Sequence, residues 1–141
     1  MCFGKKASTV PVSTSTKHIE NARLREILQA KFPGCNIYLS DGDYRLCSEA
    51  DMKTFLDYDP TEKNKYEAEA FDCDDFSYRL MGQFCIPGWS DLAFGIIWTN
   101  VHALNVFVTE DERVIFIEPQ NDNIEEVLET WQGNAVYLVV M

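Results

Sequence analysis

The stretch FDCDDFSYRLMGQF, residues 71–84, decides the fold. Its beginning is acidic, and the positive end of a helix dipole favours negative charge at a helix N-terminus. Large apolar side chains then recur every four residues and mark one face of a helix: Phe76, Leu80 and Phe84. Cys73 lies three residues before Phe76 and therefore belongs to the same face. The pattern predicts a helix over about residues 72–84 with a core-facing cysteine at its N-terminus.

Segments rich in β-branched and aromatic residues follow this helix and predict a sheet. The four predicted strands are Leu92–Trp98, Val101–Val108, Arg113–Glu118 and Ala135–Val140. An acidic turn, Thr109–Glu112, joins the second strand to the third. A short amphipathic helix is predicted over Ile124–Trp131, before the last strand.

The residues before the helix predict two more helices and a hairpin. A helix over Lys17–Phe32 ends at Pro33-Gly34. Asn36–Ser40 and Tyr44–Cys47 flank a glycine turn and predict a β-hairpin. Ser48-Glu49-Ala50-Asp51 has the form of a capping box and predicts a short helix through Leu56, followed by a polar loop over residues 57–69. Helices first and then a mostly antiparallel sheet indicate the α+β class.

The composition indicates one folded domain. A chain of 141 residues, 46% hydrophobic and 25% charged, has the balance of a globular protein. We expect a single domain over residues 17–141, preceded by a disordered basic tail over residues 1–16. The net charge of −11 repels phosphate backbones and argues against nucleic-acid binding.

Neither a membrane span nor a disulfide framework is indicated. No apolar stretch approaches the roughly 18–20 residues of a membrane span, and the N-terminus lacks the apolar run of a secretory signal. We therefore expect a soluble protein without a membrane partner, cytoplasmic by default. The five cysteines are odd in number and form no CxxC pair, so a zinc knuckle is not expected either.

Three residues are candidates for a nucleophilic site. The helix dipole at Cys73 lowers the pKa of a thiol toward a reactive thiolate. His102 lies near the start of one predicted strand and Glu118 near the end of the next, so a hairpin folded about residue 110 brings them together on one buried face. Each residue alone is more often a core or strand-end residue. Together they have the composition of a Cys-His-acid triad.

Three short segments carry a resemblance to a known family. FDCDDF at residues 71–76, VHALNV at residues 101–106 and FIEPQ at residues 116–120 resemble the papain-like cysteine protease domain at the C-terminus of certain fungal chimerolectins. The likeness covers about residues 66–122. It implies a papain-like fold in which Cys73 is the nucleophile, His102 the general base and acid, and Glu118 the residue that orients the imidazole.

The chain also departs from that family. It lacks a lectin module, so nothing in the sequence predicts sugar binding. Papain relatives often place a glutamine, an oxyanion donor, several residues before the cysteine. Here that stretch reads Tyr66-Glu67-Ala68-Glu69-Ala70 and leaves the backbone N–H of Cys73 as the candidate donor.

Carboxylates beside the cysteine suggest a metal. Asp72, Asp74 and Asp75 oppose thiolate formation at Cys73, and a divalent cation would neutralise them. Oxygen ligands suit Ca²⁺, and the resembled domains are calcium-dependent. We expect Asp74 and Asp75 to help bind Ca²⁺, with Asp72 as a further candidate. The alternative is that these residues only complement the helix dipole.

The sequence thus favours a small cysteine hydrolase that cleaves peptide or amide bonds in a peptide or protein substrate. A cell-wall amidase or a transglutaminase-like acyl transferase would use the same three residues. A third hypothesis is a non-catalytic acidic protein that binds a basic partner through its surface charge.

Overall fold

The helix predicted over residues 72–84 is confirmed in the computed structural model, which describes residues 9–141, as helix α3. The helices are α1 (Asn21–Lys31), α2 (Glu49–Tyr58) and α3 (Cys73–Phe84). The strands are β1 (His18–Glu20), β2 (Asn36–Tyr38), β3 (Asp43–Arg45), β4 (Phe94–Thr99), β5 (Ala103–Val108), β6 (Val114–Glu118), β7 (Asn123–Glu125) and β8 (Val136–Val140). Single turns of 3₁₀-helix lie at Thr61–Lys63 and Thr130–Gln132.

Six strands form the main sheet in the order β2-β8-β4-β5-β6-β7. Strand β2 runs parallel to β8, and the other neighbours are antiparallel. Strands β1 and β3 pair separately as a two-stranded sheet. The predicted α+β class with a mostly antiparallel sheet is confirmed.

Apolar side chains cover both faces of this sheet. Helix α1 packs Leu24 and Leu28 into one cluster with inward-facing residues of β5 and β6, among them Leu104, Val106 and Phe116. Helices α2 and α3 supply the opposite cluster, which includes Phe55, Leu80, Phe84 and Phe107. Every residue of β5 and β6 is consequently buried, as expected for strands covered on both faces.

Several local predictions are wrong because long-range pairing decides these segments. The predicted hairpin does not form: β2 pairs with β8 and β3 pairs with β1. The first helix begins at Asn21 rather than Lys17, since His18–Glu20 is a strand. The helix predicted over Ile124–Trp131 is replaced by β7, which pairs with β6, and by the 3₁₀ turn.

The predicted tail lies partly outside the described residues, which begin at residue 9. Residues 11–15 contact the folded body. The Pro11 carbonyl accepts a hydrogen bond from Trp89 Nε1 (2.9 Å), and Thr14 N donates to Asp51 Oδ2 (2.7 Å). Arg45 Nη1 donates to Ser13 Oγ at 2.7 Å. Within residues 9–141, no helix has the length and apolar character needed to cross a membrane.

Phe55 provides a test of the core beneath α2 and α3. Its buried ring lies 4.0 Å from the Phe84 ring and 4.6 Å from the Trp89 indole, measured between centroids. F55A should lower the free energy of unfolding by about 3–5 kcal/mol, because it leaves a cavity between those rings. Chemical denaturation of F55A and of Y66A, which removes an exposed aromatic ring, measures the effect. A loss in F55A no larger than that in Y66A would contradict this packing.

Candidate functional site

Cys73 is the first residue of α3, as the acidic helix start predicts. The Asp75 carboxylate accepts a hydrogen bond from Asp72 N (3.2 Å), and Phe76 N donates to the Asp72 carbonyl (3.1 Å). Asp75 thus accepts from the residue that precedes the helix, as the last residue of a capping box does. The Cys73 side chain is half-buried at this end of the helix.

His102 and Glu118 meet at the same end of the sheet. His102 immediately precedes β5, and Glu118 is the last residue of β6. The pairing of Asn105 with Ile117 sets the register that brings their side chains together. The imidazole Nε2 donates to Glu118 Oε2 at 2.8 Å, and both side chains are buried. Because the carboxylate is the acceptor, Nδ1 is the ring nitrogen that remains for other partners.

Three residues that the sequence analysis missed surround this pair. Gln132 Nε2 donates to Glu118 Oε2 at 3.0 Å, and Gln132 is completely buried. Thr99 Oγ1 accepts a hydrogen bond from His102 N (3.0 Å) and donates to the Gln132 carbonyl (2.6 Å). The Trp131 ring meets the imidazole edge to face, with 4.8 Å between centroids. The sequence placed Trp131 in a helix, so no signal connected this segment to His102.

Cys73 and His102 line one open cleft of about 310 Å³. The residues that share it are Asp74, Trp98, Thr99, Asn100, Val101, Ala103 and Tyr137. The structure thus brings the three predicted site residues together: two line the cleft, and Glu118 lies behind His102. A larger cavity of about 760 Å³ adjoins it, with Asn100 and Val101 in both walls.

Burial and neighbouring carboxylates set the electrostatics of the thiol. Burial, the larger cause, and the charges of Asp72 and Asp74 raise the pKa of Cys73, while a hydrogen bond from the backbone N–H of Ala103 opposes them. A hydrogen bond with Asp72, followed by burial, raises the pKa of the Asp74 carboxyl. Burial and these charges therefore oppose the thiolate that the helix dipole would favour at Cys73.

The acidic residues divide into two groups. Ligand atoms of Asp72, Cys73 and Asp74 lie within 4.8 Å of one another, whereas the Asp75 carboxylate is directed to the backbone N–H of Asp72. Two neighbouring carboxylates are a donor set that suits a hard cation such as Ca²⁺. The pair that the structure brings together is Asp72 and Asp74, rather than the predicted pair Asp74 and Asp75.

The chemistry of the cleft follows from these side chains. It offers a thiol, an imidazole held by a carboxylate, further polar groups on Asp74 and Asn100, and the aromatic rings of Trp98 and Tyr137. A wall of this composition gives a polar ligand both hydrogen bonds and an apolar face. The roles predicted for Cys73, His102 and Glu118 in nucleophilic chemistry stay a prediction.

The fold is similar to solved structures of a fungal lectin. A structure titled "PSL1a-E64 complex" superposes with a TM-score of 0.75 and 23% sequence identity, over 88% of this chain and 50% of that one. A Polyporus squamosus lectin bound to the epitope Neu5Acα2-6Galβ1-4GlcNAc superposes with a TM-score of 0.69 and 23% identity, over 88% of this chain and 49% of that one. The chain thus spans about half the length of these structures, and the likeness establishes the fold. No protein-family profile and no curated protein sequence matches the chain.

These comparisons contradict the predicted class of protein. The similar structures are named for a lectin, and neither name mentions a papain-like cysteine protease. The predicted cysteine hydrolase, its amidase and acyl-transferase alternatives, and its peptide or protein substrate are corrected accordingly. The hypothesis of a non-catalytic binding protein is closer to these comparisons.

Gly133 tests the close approach of the 3₁₀ turn to the site. Its φ is +100°, and a Cβ there would lie 2.6 Å from both Asn100 Oδ1 and Thr99 Oγ1. G133A should therefore lower the free energy of unfolding by about 1–3 kcal/mol. The control is G82A in α3, where a Cβ meets no atom within 4 Å and should raise stability by about 0.5–1 kcal/mol. Thermal unfolding in which G133A is as stable as G82A would contradict this geometry.

Iodoacetamide labelling tests the electrostatics of Cys73. D74N removes a charge that raises the pKa of Cys73, so it should increase the fraction of thiolate and speed labelling at pH 8 by about threefold. D57N, an exposed charge change on α2, should have no effect. Cys47, whose pKa burial raises to about 12, supplies an unreactive reference in the same mass spectrum. Equal rates in D74N and D57N would show that Asp74 does not influence the thiol.

Proposed function

We propose that the chain binds a carbohydrate, and that the cleft holding Cys73 and His102 is its binding site. The observation that carries the proposal is the composition of this cleft, in which aromatic rings and hydrogen-bonding groups share one wall. A glycan is the ligand named for the Polyporus squamosus lectin, and the likeness in fold covers 49% of that chain. That likeness supports the ligand class; the residues of the cleft support the location.

The aromatic residues suit the apolar face of a sugar ring. Trp98 and Tyr137 line the cleft, and the Tyr137 side chain is exposed. Tyr78, also exposed, extends this aromatic surface, since its ring lies 6.0 Å from the Trp98 ring. Stacking against such rings removes apolar surface from water without requiring a charged ligand.

The polar residues suit sugar hydroxyls. Asp74 offers acceptors, Asn100 offers both donors and acceptors, and His102 offers the ring nitrogen that Glu118 does not occupy. Cys73, His102 and Glu118 remain our proposed site residues, with Glu118 orienting the imidazole from behind. The finer description of the fold as papain-like is also a proposal, supported by a cysteine that begins a helix packed on an antiparallel sheet.

The charge of the protein indicates which class of glycan the cleft would accept. The net charge is −11, and the carboxylates of Asp72 and Asp74 lie at the cleft. Both features repel a carboxylate-bearing sugar, so we propose a neutral glycan. Ca²⁺ also stays a proposal, with Asp72 and Asp74 as its ligands in place of the expected Asp74 and Asp75; there it would offset their charge and offer coordination sites to hydroxyl oxygens.

Titration calorimetry with two sugars tests the proposal. In a buffer that contains a chelator, the neutral disaccharide Galβ1-4GlcNAc should bind more tightly than its Neu5Acα2-6 derivative. The carboxylate of the derivative is repelled by the carboxylates of Asp72 and Asp74. If the two aspartates bind Ca²⁺, adding it should reduce that difference. W98A should weaken binding at least about tenfold, since it removes a stacking ring, whereas Y38A, an exposed ring on β2, should not.

Two results would overturn the proposal. One is the absence of binding for both sugars, or equal binding by W98A and the unsubstituted protein. The other is turnover of a fluorogenic peptide that disappears in C73A, because that would make the cleft a catalytic centre rather than a binding site.

A further inference from the structure

The carboxylate of Glu118 is almost completely buried. The residue is 2% exposed, and an unpartnered buried carboxylate would be strongly destabilising. His102 Nε2 and Gln132 Nε2 both donate to Oε2, at 2.8 and 3.0 Å, and Gln120 N lies 3.3 Å from Oε1. The two short bonds therefore converge on one oxygen, and His102 shares its acceptor with Gln132.

The orientation of the Gln132 amide is determined by its own neighbours. Its Oε1 accepts a hydrogen bond from Glu129 N at 2.7 Å, so the amide nitrogen is the atom that faces Glu118. Reversing the amide would set oxygen against carboxylate oxygen and leave a backbone N–H without its acceptor. The donor to Glu118 is thus fixed by the 3₁₀ turn.

A second connection runs through the main chain. The Gln132 carbonyl accepts from Thr99 Oγ1, and the same hydroxyl oxygen accepts from His102 N. Gln132 consequently reaches His102 by two routes, through the Glu118 carboxylate to the ring and through Thr99 to the backbone. Removing the side-chain amide breaks the first route and leaves the second intact.

We infer that Gln132 is a positioning residue: its side-chain amide holds the Glu118 carboxylate and, through it, fixes the His102 imidazole at the wall of the cleft. The inference rests on the proposed function only in taking that cleft as the binding site. It assigns to the segment 129–133 a role in the geometry of the site as well as in the fold. The other polar residues of the cleft are Cys73, Asp74, Thr99, Asn100 and Tyr137. In the part of the chain that the structure describes, none of them is hydrogen-bonded to Glu118 Oε2.

Proton NMR of the unliganded protein tests the inference directly. Both donated protons lie about 2 Å from Oε2, so the Gln132 side-chain amide and the His102 ring N–H should show a nuclear Overhauser effect. The His102 ring N–H should also give a slowly exchanging signal that is lost in E118Q, where an amide replaces the carboxylate. Absence of that Overhauser effect in the unsubstituted protein would overturn the inference without any variant.

Q132L then separates positioning from folding. It keeps the side-chain size and removes the donor, so the His102 ring proton should exchange with water at least about tenfold faster. Q29L makes the same chemical change at an exposed position of α1 and should leave the exchange rate unchanged. A folded Q132L with the ring-proton exchange of the unsubstituted protein would show that Gln132 has a structural role alone. These readouts need no ligand, so they are independent of whether the sugars bind.

Discussion

The buried Glu118 carboxylate is the constraint on which the site depends. A carboxylate that is 2% exposed needs several hydrogen-bond donors, and these come from three separate parts of the chain. His102 supplies one from the start of β5, Gln132 supplies one from the 3₁₀ turn before β8, and Gln120 supplies a longer one. The hydrogen bonds to the Glu118 carboxylate therefore fix the His102 imidazole, the end of the β5–β6 hairpin and the 3₁₀ turn that contains Gln132.

The position of α3 follows from a second buried polar group, on β5. Asn105 is fully buried, and its Nδ2 donates to the Ser77 carbonyl at 3.1 Å and to the Gly95 carbonyl at 3.2 Å. The Ser77 hydroxyl in turn donates to the Cys73 carbonyl at 2.8 Å. One polar side chain thus connects the first turns of α3 to two central strands, and this connection holds Cys73 at the end of the sheet where His102 lies.

The sequence predicted the elements that depend on short-range patterns and missed the contacts between residues far apart in the chain. The four-residue spacing of Phe76, Leu80 and Phe84 identified α3, and the runs of β-branched residues identified β4, β5, β6 and β8. Reflection about the acidic turn placed His102 near Glu118, because a hairpin pairs residues at equal distances from its turn. No comparable rule relates Gln132 to Glu118 or β2 to β8, since those contacts depend on how the elements pack. The class of protein was not determined by local pattern either, since the residue types that compose a triad also occur together in sites with other functions.

Charge connects the fold to the proposed ligand. Asp72 and Asp74 sit at the N-terminus of α3 because the helix dipole favours them there, and the Asp72 backbone is held by Asp75. Burial and these same carboxylates raise the pKa of Cys73, so charges that stabilise the helix also oppose formation of a thiolate. The same carboxylates at the cleft repel an anionic ligand more than an uncharged polar one. The charges that stabilise the start of α3 therefore also support the neutral ligand that we propose.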